Sequence, residues 1–235
     1  MKNDPHRQAL LVPYADRENV RALGAQWDKH DRVWTIEAGT AVPRQYLPLR
    51  DRPGLKPPYI RINLIPQTSW GMNLRAMMPK PEWKAFIKEH VYSSTGSRCL
   101  VCGERGPEWP VEADEIWKFD DNKRIQTLVG IVPLCPDCHS VRTCGFARAQ
   151  GRENEVVKHL AWVERIGRKS AQFTINQAIM RWEQRSRKKW TIDISFMERH
   201  YGIPIQWNEE AAREANISLR REDARRTRKN KGQKR

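Results

Sequence analysis

The chain has 235 residues and carries 43 Lys and Arg against 28 Asp and Glu, a formal net charge of +15. This length suits one or two domains, and the positive surplus favours a polyanionic partner, because each neutralised phosphate releases condensed counterions. No apolar stretch has the length of an export signal or a transmembrane helix, so we expect a cytoplasmic protein without a membrane partner.

The first part of the chain, residues 1–42, is predicted to form a small β-α-β module. Residues 10–13 are typical of a short strand, a helix is predicted to follow, and residues 32–36 alternate like a half-buried strand. Trp27 and Trp34 provide large aromatic surfaces for a core or for stacking. The pattern indicates an independent element at the start of the chain.

Residues 43–68 are predicted to be a semi-rigid connector, because six prolines between positions 43 and 66 prevent long regular structure. A helix is predicted to begin near Pro81, a residue that suits a first helical turn. Residues 111–117 and 127–132 are predicted to be strands joined by a turn at 120–123, which together make a β-hairpin.

Two Cys-x-x-Cys pairs flank this hairpin, with 32 residues between them: Cys99, Cys102, Cys135 and Cys138. Four thiolates are a ligand set that Zn²⁺ prefers in structural sites, so the spacing predicts one structural zinc ion. Disulfides are disfavoured in a reducing compartment, and a redox motif needs only one such pair within a βαβ unit. Cys144 is predicted to be a buried apolar residue and not a ligand.

Helices and a basic tail are predicted after the second pair. The helices cover about 140–148, 154–165 and 171–187, and an extended segment follows at 190–194. We therefore predict an α+β protein with a four-cysteine core at 69–150, a helical extension at 151–205 and a basic tail at 206–235. From residue 213 onward the tail has ten basic and three acidic residues.

The order of zinc pair, hairpin, zinc pair and helix is the layout of the ββα-metal fold. From about 69 to 197 the chain resembles a phage and bacterial family of zinc-stapled HNH endonuclease-like proteins. The matching stretches are Trp70–Arg75, Cys99–Gly103, Trp109–Trp117, Leu134–Arg142 and Arg187–Asp193. The start of the chain, at 12–15 and 22–28, resembles a small module of unknown function found beside plasmid primases and other DNA-processing proteins.

The HNH resemblance implies a nuclease site that this chain has only in part. Such an enzyme uses a histidine as general base and a divalent ion held by acidic and histidine ligands. Here Asp114 stands at the base position and Thr143 at the position of a second histidine, whereas Glu112 and His139 remain as candidate ligands. Because the ordinary pKa of aspartate is about 4, it is a weak base.

We therefore expect a non-catalytic descendant of an HNH nuclease. The alternative is an active endonuclease that uses Asp114, Glu112 and His139 with Mg²⁺ or a similar ion. A second alternative is a zinc-stabilised protein-interaction module, which the positive charge disfavours.

Nucleic acid is the expected partner, either DNA or a guide RNA. The size, charge and zinc framework resemble the Cas8-like zinc-finger subunit of type IV CRISPR effector complexes. That resemblance implies a DNA-recognition subunit of an antiviral ribonucleoprotein with further protein subunits, and a plasmid transfer or transcription accessory is the competing interpretation. The basic residues expected to contact phosphates are Lys118, Lys123, Arg124, Arg142, Arg148, Arg220, Arg221, Arg225, Arg226, Arg228 and Lys229.

Overall fold

The structure is a computed structural model that describes residues 6–107 and 110–205, together with positions 210, 214 and 217. The described chain is α+β, as predicted, with two three-stranded sheets among its helices. It divides into two compact units: the first takes in 1–64, 86–114 and 131–180, and the second takes in 65–85, 115–130 and 181–235. Each unit combines segments that are distant in sequence, whereas each domain predicted from the sequence is one continuous segment.

The N-terminal module in the first unit is a three-stranded antiparallel sheet with one helix. Its elements are β1 (Arg7–Leu10), α1 (Arg17–Ala22), β2 (Gln26–Asp28) and β3 (Val33–Glu37). The central strand is β3, which pairs with both neighbours. The first strand ends at Leu10, earlier than predicted, because Pro13 precedes a 3-10 turn over Tyr14–Asp16.

Most of the proline-rich segment, residues 43–64, belongs to the first unit. A 3-10 turn follows Pro43 and another follows Pro48. Tyr46 is buried in the core of the N-terminal module, and Ile60 is buried in the core around the four cysteines. The segment predicted to be a semi-rigid connector thus contributes apolar side chains to both cores.

Short helices come next, followed by the hairpin and the helical region. The structure has α2 (Leu74–Met77), α3 (Lys80–Phe86) continued by a π-helical turn (Ile87–Tyr92), then β4 (Glu112–Asp120) and β5 (Ile125–Leu134). After the hairpin come α4 (Pro136–Arg142), α5 (Cys144–Ala149), α6 (Glu153–Glu164) and α7 (Arg168–Ser186). The single helix predicted at 140–148 is two helices, since the backbone leaves helical geometry at Thr143.

Helices α4 to α6 enclose the principal core of the first unit. Leu134, Val141, Leu160 and Ile175 pack there with the four cysteines. Glu164 is also buried, and its carboxylate accepts hydrogen bonds from the backbone N–H groups of Tyr59 and Ile60 at 3.0 and 2.7 Å. These bonds give the buried charge polar partners, which burial of a carboxylate requires.

The second unit contains β6 (Thr191–Asp193), which lies parallel to the first residues of β5, and α8 (Phe196–Tyr201). Arg185 stabilises this unit, because its Nε and Nη2 donate hydrogen bonds to the Asp121 carboxylate at 2.9 and 2.6 Å. Its guanidinium also lies 4.3 Å from the ring centre of Phe119. None of the described helices is long and apolar enough to cross a membrane.

Candidate functional site

The four predicted ligands, Cys99, Cys102, Cys135 and Cys138, form one buried cluster. Their sulfur atoms all lie within 4.8 Å of one another. The Cys102 Sγ is 3.6 Å from the Cys135 Sγ and 3.7 Å from the Cys138 Sγ. A tetrahedral zinc with bonds of about 2.3 Å requires sulfurs about 3.8 Å apart, so the donor set fits one zinc ion.

The same distances bear on the disulfide alternative. All five cysteines are free, and the Cys102–Cys135 separation of 3.6 Å is far longer than the disulfide bond of about 2.05 Å. Cys144 is buried outside the cluster, as predicted. Burial raises the pKa of its thiol to about 11.

Local backbone bonds explain how the two pairs meet. The first pair lies on a turn closed by the Gly103 N–H, which donates to the Cys99 carbonyl at 2.9 Å. The Leu100 N–H donates to the carbonyl of Pro133 at 2.9 Å and ties this turn to the end of β5. Cys135 is the N-cap of α4, and its sulfur accepts from the backbone N–H of Cys138 at 3.5 Å. Helix α4 therefore positions two of the thiols, and the bond to β5 positions the turn that carries the other two.

His159 on α6 contacts this cluster, which sequence reasoning missed. Its Nε2 lies 3.2 Å from the Cys138 Sγ, at a sequence distance that no metal-binding spacing pattern includes. Hydrogen bonding from the Cys102 thiol lowers the pKa of Cys135, and the same bond raises the pKa of Cys102. Zinc requires deprotonated thiols, so binding to this cluster would release protons.

The candidate nuclease residues form a second cluster on β4 and α4. His139 places Nδ1 3.2 Å from the Glu112 Oε2 and Nε2 3.7 Å from the Asp114 Oδ1. Arg142 forms an ion pair with Asp114 through Nε and donates from Nη1 to the Arg61 carbonyl at 3.0 Å. The side chains of Arg142 and Asp114 are only 7% and 13% exposed.

This geometry differs from a metal-dependent nuclease site in two ways. The carboxylates of Glu112 and Asp114 approach opposite nitrogens of the His139 ring, so the three groups do not converge on one point. In the part of the chain that the structure describes, the cysteine cluster is the only group of His, Cys, Asp or Glu arranged to hold a metal. Thr143 donates its hydroxyl to the His139 carbonyl at 2.9 Å, which stabilises the end of α4.

The predicted phosphate contacts have different environments. Lys118, Lys123, Arg124 and Arg148 are exposed, and Arg148 lies 3.5 Å from Glu153. Arg142 differs from them, since it is buried and paired with Asp114. The remaining predicted positions lie outside the described residues: Arg220, Arg221, Arg225, Arg226, Arg228 and Lys229.

Comparison with known proteins connects one part of this chain to others. Residues 7–46 match a family described as a domain of unknown function, DUF5710. Two DNA primase TraC proteins of Escherichia coli are 46% identical over 35 residues and 39% identical over 36 residues. Each match covers 15% of this chain, and the matches cover 3% and 2% of the respective primases. No solved structure matches the chain significantly.

The DUF5710 match falls on the predicted N-terminal module. It confirms the resemblance of this region to a module of unknown function. The matched stretches are short, and this chain spans no more than 3% of the length of the primases.

Proposed function

We propose that the protein is a non-catalytic, zinc-stabilised nucleic-acid-binding protein whose core descends from an HNH nuclease. The observation that carries the proposal is the buried ion pair between Arg142 and Asp114. A general base needs a carboxylate that is free to accept a proton, whereas the Asp114 carboxylate accepts from the Arg142 guanidinium in a buried pair. Arg142 also places a positive charge beside Asp114, where it would repel a cation.

The zinc cluster has a structural role in this proposal. Its four ligands are buried in the core that contains Leu134 and Leu160. A closed four-thiolate site has no open coordination position for substrate, which is typical of structural zinc. Loss of the catalytic groups with retention of the cysteines is therefore consistent with a scaffold that is still needed for folding.

Nucleic acid is the partner that the charge supports best. The chain has a net charge of +15, and the hairpin of the second unit exposes Lys118, Lys123 and Arg124 near its turn. The similarity to DNA primase TraC supports the same class of partner. Exposed basic side chains on a rigid hairpin can contact successive phosphates and orient the protein on its target.

The proposal extends to a larger DNA-targeting assembly, of plasmid or CRISPR ribonucleoprotein type, in which this protein is a DNA-recognition subunit. The resemblance to the Cas8-like subunit supports this placement. Trp70 and Trp162 are exposed, and exposed tryptophan is enriched at the centres of protein interfaces. Co-purification of guide RNA or of a backbone subunit with the tagged protein is the expected result.

An active nuclease is the second candidate function. It is favoured by one observation: His139 still lies within 3.7 Å of both Glu112 and Asp114. If a divalent ion displaced Arg142, the ion would be held by Asp114, Glu112 and His139 and would supply Lewis-acid chemistry for phosphodiester cleavage. This candidate requires metal-dependent cleavage, which the first candidate excludes.

The proposed function is tested by equilibrium binding of labelled DNA and RNA over a series of salt concentrations. We expect log affinity to fall linearly with log salt, and deletion of 206–235 to weaken binding to all sequences and to flatten the slope. Lys118→Gln and Lys123→Gln should each lower the slope by about 0.9, because each removes one phosphate contact.

Lys158→Gln is the matched control, since Lys158 is equally an exposed lysine but lies on α6. Binding that is insensitive to salt, to the tail and to both hairpin substitutions would contradict the proposal. The protein-interaction module would then be the better interpretation.

A further inference from the structure

The N-terminal module carries a cavity of about 380 Å³ that the proposed core site does not use. Tyr14, Trp27 and Trp34 of the module line it, and residues 95–98 close one side. Gly96 makes this closure possible: it has a φ of +60°, and a side chain there would meet the Val12 carbonyl oxygen at 2.7 Å. The volume lies within the range of about 300–1,000 Å³ that is typical of ligand sites.

Aromatic rings dominate one wall of the cavity. Trp27 and Trp34 are directly opposite each other on β2 and β3, with ring centres 5.6 Å apart and a 58° angle between planes. Trp27 is 45% exposed and Tyr14 is 76% exposed. Because each ring offers part of its surface to solvent while its strand or turn holds it in place, these rings are suited to stacking against a flat ligand.

Four arginines complete the lining: Arg17, Arg21, Arg32 and Arg98. No Asp or Glu is among the described residues that line the cavity. Glu18 lies beside this set and pairs with Arg21 at 2.7 Å and with Arg17 at 3.4 Å, so a single carboxylate offsets only part of the charge of these arginines. The cavity thus combines aromatic surface with positive charge.

Arg98 is the second, independent observation that points to an anionic ligand. It is 6% exposed, and its guanidinium donates to the carbonyls of Gly103 and Asp31 at 2.9 and 2.8 Å. Its Nε is buried and has no hydrogen-bond partner among the described residues. The carboxylates of Glu104, Asp31 and Asp28 act on its charge through space, and an anion in the cavity would add to the stabilisation of this buried cation.

We infer that this cavity binds single-stranded nucleic acid, with an unpaired base stacked on Trp27 and adjacent phosphates near Arg21 and Arg32. Aromatic platforms beside cationic side chains are the common means by which proteins hold single strands without reading their sequence. A duplex cannot use the site, because its bases are already stacked and paired. The inference rests on the proposed function and adds a second nucleic-acid site, in the DUF5710-matched module.

The test measures anisotropy of a fluorescein-labelled 15-nucleotide oligo-deoxythymidine strand and of a labelled duplex, using the full chain. Trp27→Ala should weaken single-strand binding about 5- to 100-fold, as loss of one base–aromatic stack does, and leave duplex binding within twofold. Trp27→Phe should retain most of the affinity. Trp162→Ala is the matched control, because Trp162 is 46% exposed and lies outside the cavity.

Arg21→Gln and Arg32→Asn keep the inference testable if Trp27→Ala does not fold. Each should lower the slope of log single-strand affinity against log salt by about 0.7, and asparagine tolerates the left-handed backbone of Arg32, whose φ is 49°. Equal single-strand affinity of Trp27→Ala and wild type would overturn the inference. If wild type binds neither strand nor duplex, the proposed function fails as well.

Discussion

Removing the Asp114 carboxylate is expected to destabilise the protein more than removing any other charge of the candidate nuclease cluster. Asp114→Ala removes the carboxylate that forms the ion pair with the buried Arg142 guanidinium, whose Nη1 still donates to the Arg61 carbonyl. An uncompensated buried charge is a large penalty because water cannot solvate it.

The magnitude follows from the burial of the two side chains. Breaking a buried ion pair by removing one partner costs about 3–5 kcal/mol. Asp114 is 13% exposed, so we expect the lower part of that range, about 3 kcal/mol. Asp114→Asn should cost less, about 1–2 kcal/mol, because the amide oxygen still accepts a hydrogen bond from Nε of Arg142.

Urea unfolding at saturating zinc measures both variants. Glu112→Ala is the matched control: Glu112 is on the same strand and also faces His139, but its side chain is 45% exposed, so we expect a loss of about 0.5 kcal/mol or less. An Asp114→Ala protein as stable as Glu112→Ala would refute the reasoning, because Arg142 would then be satisfied without its carboxylate partner.

Three further expectations follow from the structure. Cys135→Ser should abolish stoichiometric zinc and lower the melting temperature, measured by metal analysis and thermal unfolding, whereas full metal content would contradict the four-thiolate site. Cys144 should resist alkylation at pH 8 in the folded protein and react after unfolding with a chelator, because burial raises its pKa to about 11; rapid labelling of the native protein would show that this burial is wrong. The hydrogen bonds from Arg185 hold the pKa of Asp121 below its usual range. Asp121→Asn should therefore lower the free energy of unfolding by its full amount at pH 6. The difference from wild type should shrink as the pH falls below about 4 and vanish once the pH is below the lowered pKa. A loss that is the same at pH 3 would contradict that pairing.

Local sequence patterns were sufficient to predict the four-cysteine cluster and most helices and strands. The Cys-x-x-Cys spacing is short enough for one turn to present two sulfurs, and the alternation at 111–117 and 127–132 reflects the two faces of a hairpin. These features depend on neighbours in sequence, and the structure has β4, β5 and the buried cluster at those positions.

Long-range contacts were not accessible in the same way. The Arg142–Asp114 pair joins residues 28 positions apart. The sequence around Arg142 does not indicate whether its side chain faces solvent or a carboxylate. His159 contacts Cys138 from a different helix, outside any ligand spacing. Ile60 looked like part of a connector because prolines surround it, yet its side chain is buried. Composition indicates which segments form helices and strands, but it does not indicate which irregular segments pack into a core.

The most direct measurement of the central claim is incubation of supercoiled plasmid DNA with the purified protein and Mg²⁺, Mn²⁺ or Ni²⁺. We expect the protein to retard the plasmid on a gel without nicking it at any metal concentration. The reason is that Arg142 pairs with Asp114, and that Glu112, Asp114 and His139 do not converge on one point. Metal-dependent nicking would contradict the claim if His139→Ala, which leaves the Arg142–Asp114 pair in place, abolished it. That result would identify an active nuclease.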